Sequence, residues 1–321
     1  MKQLQNKQSN GWATKVCISC FSFIAILGLG FLTIAGCSVG EFGGSTSKPS
    51  RGGFSGKLIL TGSSTIAPLA HEIGKRFEEA HPSVRIDVQT GGSSRGIRDA
   101  IKGAADIGMS SRYLNTDEAA ELDTTVIARD GVAFVVHRDN PIKQISPTQL
   151  RQIYSGKIQN WSELGQPKNR IVVSNRIVVS NRAAGRSELS LICDYLEIEP
   201  GDIQADMVDG ETQQSLKSVI NNSKAITYTS VGAAQDAVAR GEPLKLLPLD
   251  GVDASSETVR SGQFPLARPL ILAVNTKSLG LQKADLVNAF LEFAKSEEVA
   301  DAAVKLGFVP TGDSAALSET E

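Results

Sequence analysis

From Lys57 onward, short β-branched runs alternate with stretches whose apolar residues recur every three or four positions, the pattern of α/β layers. "GKLILTG" predicts a strand, after which Ser64 or Thr65 caps a helix that places Ile66, Leu69, Ile73 and Phe77 on one face. "VRIDVQT" predicts a second strand, "GIRDAIKG" a short helix, "ADIGMSS" a third strand and "GVAFVVH" a long one. Ser146-Pro147-Thr148-Gln149 reads as a helix start, with Pro in the first turn and Gln three residues after the cap. Helices near 212–221 and 231–240 bracket the strand "AITYTS"; the extended run "RPLILAVNT" and helices near 282–295 and 297–306 follow. The two long apolar runs, "GVAFVVH" and "RPLILAVNT", lie far apart in the chain and suit strands that leave a discontinuous first domain and return to it.

The first fifty residues break this pattern. Lys2, Lys7 and Lys15 precede the apolar run "VCISCFSFIAILGLGFLTIAGC", the layout of a secretory signal over residues 1–36. The run ends in small residues followed by Cys37, which resembles a bacterial lipobox; an uncleaved anchor helix is the alternative. Cleavage before Cys37 would leave a lipidated thiol and a Gly/Ser-rich tether to Gly56, spanning on the order of 25 Å as a random coil. Loss of those 36 residues removes three lysines and no acid, taking the net charge from -2 to -5. A net-negative chain with few aromatics has no footprint for nucleic acid. Of its four cysteines, Cys17 and Cys20 lie in the apolar run, and Cys193 falls on the stripe Leu189, Ile192, Cys193, Leu196 as a buried, inert thiol.

Candidate chemistry centres on "GGSSRGIRDA". Gly92-Ser93-Ser94-Arg95-Gly96 fits the G-x-S-x-G elbow of a serine hydrolase, but the only later His is His137, at the end of an apolar strand and mid-chain. Ser45-x-x-Lys48 lies in the tether without its usual partners. His71, His81 and His137 lack the spacing of metal ligands, and no dinucleotide turn or Walker A is present, so neither metal nor cofactor is expected. What recurs is Gly and small hydroxyl residues at strand ends: Gly62-Ser63-Ser64-Thr65, Gly91-Gly92-Ser93-Ser94, Ser110-Ser111-Arg112, and the turn Arg182 to Ser187. Taken singly, each is a plain helix cap; converging on one crevice with two arginines, they suit a small anion.

"LTGSSTIAPLA", "GGSSRGI", "ADIGMSSR", "IYSGKIQNW", "AITYTSVGA" and "FPLARPLILAVN" resemble the motifs of periplasmic phosphate-binding proteins of ABC importers, of the cyanobacterial type, from about Lys57 to Pro310. The resemblance implies an α/β, type II periplasmic binding protein fold: two lobes joined by two crossing strands, residues 57–131 plus 275–321 forming lobe 1 and 132–274 lobe 2. It implies a monomeric non-enzyme that closes on inorganic phosphate and delivers it to ABC permease subunits, held to the periplasmic face of the cytoplasmic membrane by its lipid anchor. Sulfate or arsenate binding, and phosphate sensing without transport, are the alternatives. Carried over position by position, Ser64, Thr65, Ser93, Ser94, Ser111, Arg182, Arg186 and Ser187 would hold the ligand.

Two departures bear on selectivity. The family commonly has Gly-Ser-Gly-Thr where this chain has Gly185-Arg186-Ser187-Glu188, and some relatives have Asp where it has Ser111. A Ser oxygen accepts a proton's hydrogen bond but repels a dianion less than a carboxylate does, so Glu188 is expected to restore part of the acceptor. "IVVSNR" occurs twice in tandem, Ile171–Arg176 and Ile177–Arg182, which reads as a local duplication. Only the second copy runs into the Ala-Ala-Gly turn, so Arg182 is expected at the ligand and Arg176 on a lengthened connection.

Overall fold

A computed structural model describes residues 53–164 and 176–311. The expected signal peptide, Cys37 and the first "IVVSNR" up to Asn175 lie outside the described residues. The elements run β1 (Gly56–Gly62), α1 (Ala67–Ala80), β2 (Val84–Thr90), α2 (Ser93–Ile101), β3 (Ile107–Ser110), α3 (Thr116–Glu121) and β4 (Asp123–His137). They continue with α4 (Pro147–Tyr154), β5 (Val178–Arg182), α5 (Ser187–Leu196), β6 (Met207–Asp209), α6 (Thr212–Ile220), β7 (Ala225–Ser230) and α7 (Val231–Ala239). The last are β8 (Leu244–Leu246), α8 (Ser256–Arg260), β9 (Ala267–Val274), α9 (Leu281–Lys295), α10 (Glu297–Lys305) and β10 (Val309–Pro310).

The strand order β2-β1-β3-β9-β4-β7-β5-β6 divides at β4, a 15-residue strand that serves two sheets. Its first half pairs antiparallel with β9, from Asp123 opposite Val274 to Gly131 opposite Ala267, while residues 132–136 pair antiparallel with β7. The parallel ladders expected from the βαβ pattern join β2, β1 and β3 on one side and β5, β6 and β7 on the other. Neither sheet is wholly parallel, because the strands carrying the chain between them run antiparallel to their neighbours. "GVAFVVH" thus accounts for only the second half of its strand. Polar Asp123, Thr124 and Thr125 hide the first half from an apolar-run reading. β9, assigned to the second lobe by the boundary at residue 274, is paired within the first sheet.

Each sheet backs its own apolar core. One gathers Leu58, Leu60, Phe77, Met109, Leu270, Leu272 and Phe290, the other Phe134, Tyr154, Ile192, Leu216, Ile226 and Tyr228. Ile66, Leu69, Ile73 and Phe77 are all buried, as the period of α1 requires. The cap is different: Ser63, not Ser64 or Thr65, accepts from the backbone N–H groups of Thr65 and Ile66, and α1 begins only at Ala67. α4 has the expected reciprocal cap between Ser146 and Gln149, with Pro147 in its first turn. Residues 53–56, expected to belong to a tether, reach the folded unit: Gly56 opens β1 and the Phe54 ring packs edge-to-face on His81 at 5.3 Å. Cys193 is buried, and desolvation pushes its thiol up to about 11, as an inert core cysteine requires.

Candidate functional site

Three strand ends on the first side bring hydroxyls together. β1 passes into Ser63-Ser64-Thr65 through Gly62 (φ 134°), whose absent side chain lets Gly96 and Met109 approach; a Cβ there would lie 2.3 Å from the Met109 carbonyl. β2 ends in a turn whose Gly91 and Gly92 N–H groups both donate to the Gly62 carbonyl at 2.9 Å. Gly92 (φ 91°) is the N-cap of α2, so Ser93 and Ser94 form the helix's first turn and neither caps it. The buried Ser93 hydroxyl is thereby free to accept from Ser111 N–H at 3.1 Å. Ser111 follows β3 but precedes no helix directly, since α3 has its own cap at Asn115. Ser111 Oγ is the hub, 2.9 Å from Ser63 Oγ, 3.4 Å from Ser93 Oγ and 2.8 Å from Ser187 Oγ.

The other side supplies Ser187 and Glu188, the first two residues of α5, whose N-cap is Arg186. Contacts bridge the sides at several points. Ser64 Oγ meets Thr212 Oγ1 at 3.2 Å, Ser94 N–H donates to the Gly185 carbonyl at 3.4 Å, and Thr65 Oγ1 donates to Glu188 Oε1 at 3.0 Å. The beginnings of α1, α2 and α5 therefore lie around one cluster, an arrangement whose exposed N–H groups and dipoles favour negative charge.

Sequence reasoning missed the cation at the middle. Arg268 on β9 is 4% exposed, and its Nη2 donates to Thr65 Oγ1 (3.1 Å), Glu188 Oε1 (3.2 Å) and Asp130 Oδ2 (3.0 Å). Its Nη1 reaches Ser187 Oγ at 3.1 Å and Ser111 Oγ at 3.4 Å. Strand register places it, since Asp130 of β4 and Arg268 of β9 are directly opposed in the antiparallel ladder. Asp130 is fixed in turn by Ser230 Oγ (3.0 Å) and Gly232 N–H (3.3 Å) at the start of α7. A signal existed: opposite charges, Asp130 and Arg268, flank the two long apolar runs read as crossing strands.

Arg182, at the end of β5, is 1% exposed. Its Nη1 donates to the Glu211 carbonyl (2.8 Å) and to Ser215 Oγ, and its Nη2 lies 3.8 Å from Glu188 Oε1. Nε and Nη2 have no hydrogen-bond partner among the described residues. Arg186 is further out, paired with Glu211 at 3.1 Å. Arg176 is 61% exposed and pairs with Asp206, away from the cluster, so the duplicated segment contributes its second arginine here and not its first. His137, the only late histidine available to a serine nucleophile, accepts from Asp139 N–H at its own strand end.

Glu188 is the other departure from expectation. Its carboxylate lies inside the cluster, 3% exposed, and accepts from Thr65 and Arg268. Burial pushes its carboxyl up, but Arg268 and then Arg182 outweigh that and hold it at about 2. The site therefore combines five hydroxyls (Ser63, Thr65, Ser93, Ser111, Ser187) with two buried guanidiniums, a donor set fitted to a small oxyanion. A cleft lined by Ser64, Thr65, His71, Glu211, Thr212 and Phe308 opens beside it.

Comparison with known proteins places the chain among relatives of similar build. Residues 45–298 match the PBP superfamily domain. The phosphate-binding protein PstS of Bacillus subtilis is 28% identical over 263 residues, covering 81% of this chain and 82% of that protein. The phosphate-binding protein PstS of Staphylococcus haemolyticus is 27% identical over 288 residues, covering 85% and 86%. Among solved structures, a putative phosphate ABC transporter substrate-binding protein with bound phosphate from Clostridium perfringens superposes with a TM-score of 0.71 at 27% identity, covering 80% of this chain and 100% of that one. An ABC-type phosphate transport receptor from Vibrio cholerae gives 0.63 at 26% identity, covering 78% and 99%.

Proposed function

The chain belongs to the PBP superfamily, and on that premise we propose that it binds inorganic phosphate outside the cytoplasmic membrane and delivers it to an ABC importer. One observation carries the reading: hydroxyls from three strand ends and the buried guanidinium of Arg268 on one side meet Ser187, with the buried Arg182 beside it, from the other side in a single cluster. The names of the relatives, one solved with phosphate bound, supply the ligand.

Binding in this reading is recognition without chemistry. Ser63, Thr65, Ser93, Ser111 and Arg268 act from one lobe, and Arg182 and Ser187 from the other, so the anion is fully coordinated only when the two are together. Charge-assisted hydrogen bonds to a buried anion are worth about 1.5–3 kcal/mol each. Micromolar affinity needs about 8 kcal/mol net, which a handful of such bonds supplies after desolvation and closure are deducted. The anion thereby selects the closed arrangement, the form a permease recognises. The protein acts as a monomer, tethered by lipid on Cys37 after removal of residues 1–36.

Titration calorimetry of the purified full chain in detergent with phosphate, arsenate and sulfate tests the reading. Saturable phosphate binding that is lost in Arg182→Ala is expected. A wild-type chain that binds none of the three anions overturns it.

A further inference from the structure

The donors that an incoming oxyanion would use already serve an anion belonging to the chain. Glu188 Oε1 accepts from Thr65 Oγ1 at 3.0 Å and from Arg268 Nη2 at 3.2 Å, and Arg268 Nη1 stands 3.2 Å away. The Arg182 Nη2 lies 3.8 Å from the same oxygen. Ser187 Oγ, which also contacts Arg268 and Ser111, is 3.5 Å from Oε2. One carboxylate oxygen thus sits among a hydroxyl and two guanidiniums, all buried, at the positive end of α5.

The second buried carboxyl, Asp130, does a different job. It touches Arg268 on the side of the β4–β9 ladder and is held there by Ser230 and Gly232 N–H, so it orients the guanidinium from behind. Glu188 instead faces the hydroxyl cluster. It is the second residue of α5, so its backbone is fixed by the helix while its carboxylate reaches the cluster through rotatable side-chain bonds.

We propose that Glu188 is a tethered internal anion that competes with the free oxyanion for Thr65, Arg268 and Arg182, and so sets the affinity of the site and makes loading an exchange of one anion for another. This rests on the anion-binding reading above. Two consequences separate it from a role as acceptor for a proton on phosphate. A competitor weakens every anion that uses these donors, protonated or not, whereas an acceptor strengthens hydrogen phosphate and repels only fully ionised sulfate. A competitor also gives the buried Arg268 a hydrogen-bonded counter-charge between loadings and Arg182 one at 3.8 Å, which lessens the cost of burying unpaired charge.

The test is calorimetric titration of full-length wild type, Glu188→Gln and Glu188→Thr with inorganic phosphate and, separately, with sulfate, alongside thermal unfolding of each. Both variants are expected to bind both anions more tightly than wild type, by about tenfold or more for a like charge removed within a few ångströms. They are also expected to melt at lower temperature than wild type before ligand is added and to gain more from it. Unchanged or weaker phosphate binding in a variant that unfolds cooperatively overturns the proposal, and weaker phosphate with tighter sulfate assigns Glu188 the acceptor role instead. If wild type and both variants bind neither anion, the anion-binding reading itself fails and this proposal with it.

Discussion

Arg268 and Asp130 stand opposite one another on antiparallel strands, Nη2 3.0 Å from Oδ2, with both side chains buried where β4 passes from one sheet to the other. The pair marks the crossing point of the fold and aims a guanidinium into the hydroxyl cluster. Lysine at 268 keeps the charge but cannot hold Asp130 on one side while reaching Thr65, Ser187 and Glu188 on the other. Arg268→Lys is therefore expected to weaken phosphate binding by tenfold or more, about 1.4 kcal/mol, in calorimetric titration. Unaltered affinity would remove Arg268 from the site.

The duplicated hexapeptide makes a paired test. Arg182 is buried beside Glu188 and Ser215, whereas Arg176 is largely exposed on Asp206. Arg182→Ala is expected to abolish measurable phosphate binding, and Arg176→Ala to leave the dissociation constant within about twofold, since exposed ion pairs are worth roughly 0–1 kcal/mol. The reverse result would exchange the two assignments.

Glu188 predicts a pH dependence of stability with a definite sign. Its carboxyl is held at about 2 in the folded protein, below the ordinary 4.5, so the folded state binds that proton less readily than the unfolded chain. The resulting stabilisation is complete above about pH 4.5 and disappears as pH falls toward 2. Urea unfolding at pH 7 should show Glu188→Gln less stable by up to about 3 kcal/mol, with the gap from wild type narrowing as the solution is acidified through that window. A gap that is constant with pH would mean that the carboxylate is not charged by its arginine neighbours.

Gly92 lies where the start of α2 packs on the Gly185 turn of the other side. It has φ 91°, and a Cβ there would stand 2.9 Å from the Gly185 carbonyl and 3.0 Å from Arg186 Cδ. Gly92→Ala is expected to lower stability by about 1–2 kcal/mol through backbone strain and to weaken phosphate binding, because the Gly185–Ser187 turn must retreat from α2. Equal affinity in the variant would show that this contact does not limit closure.

Local pattern was enough for much of the molecule. The four-position recurrence of Ile66, Leu69, Ile73 and Phe77 specified the buried face of α1, and Ser146-Pro147-Thr148-Gln149 specified a helix start, because caps and amphipathic faces depend on neighbours within a turn. The hydroxyl clusters were legible for the same reason, as each lies at a strand end and three of the four carry a glycine there. Short α3 and α8, edge strands β8 and β10, and the polar first half of β4 carry too little apolar signal to be read alone.

Sequence by itself determined the alternating α/β order, the small-residue turns and the second-copy arginine entering the right turn. Tertiary structure decided which charges share the crevice. Arg268 comes within reach of Thr65, 203 positions earlier, only through the register of β9 against β4, and Glu188 meets Thr65 across 123 positions. Such pairs leave no periodicity in either segment, because the charge-assisted hydrogen bonds that join them form only once the folded chain has brought the groups together.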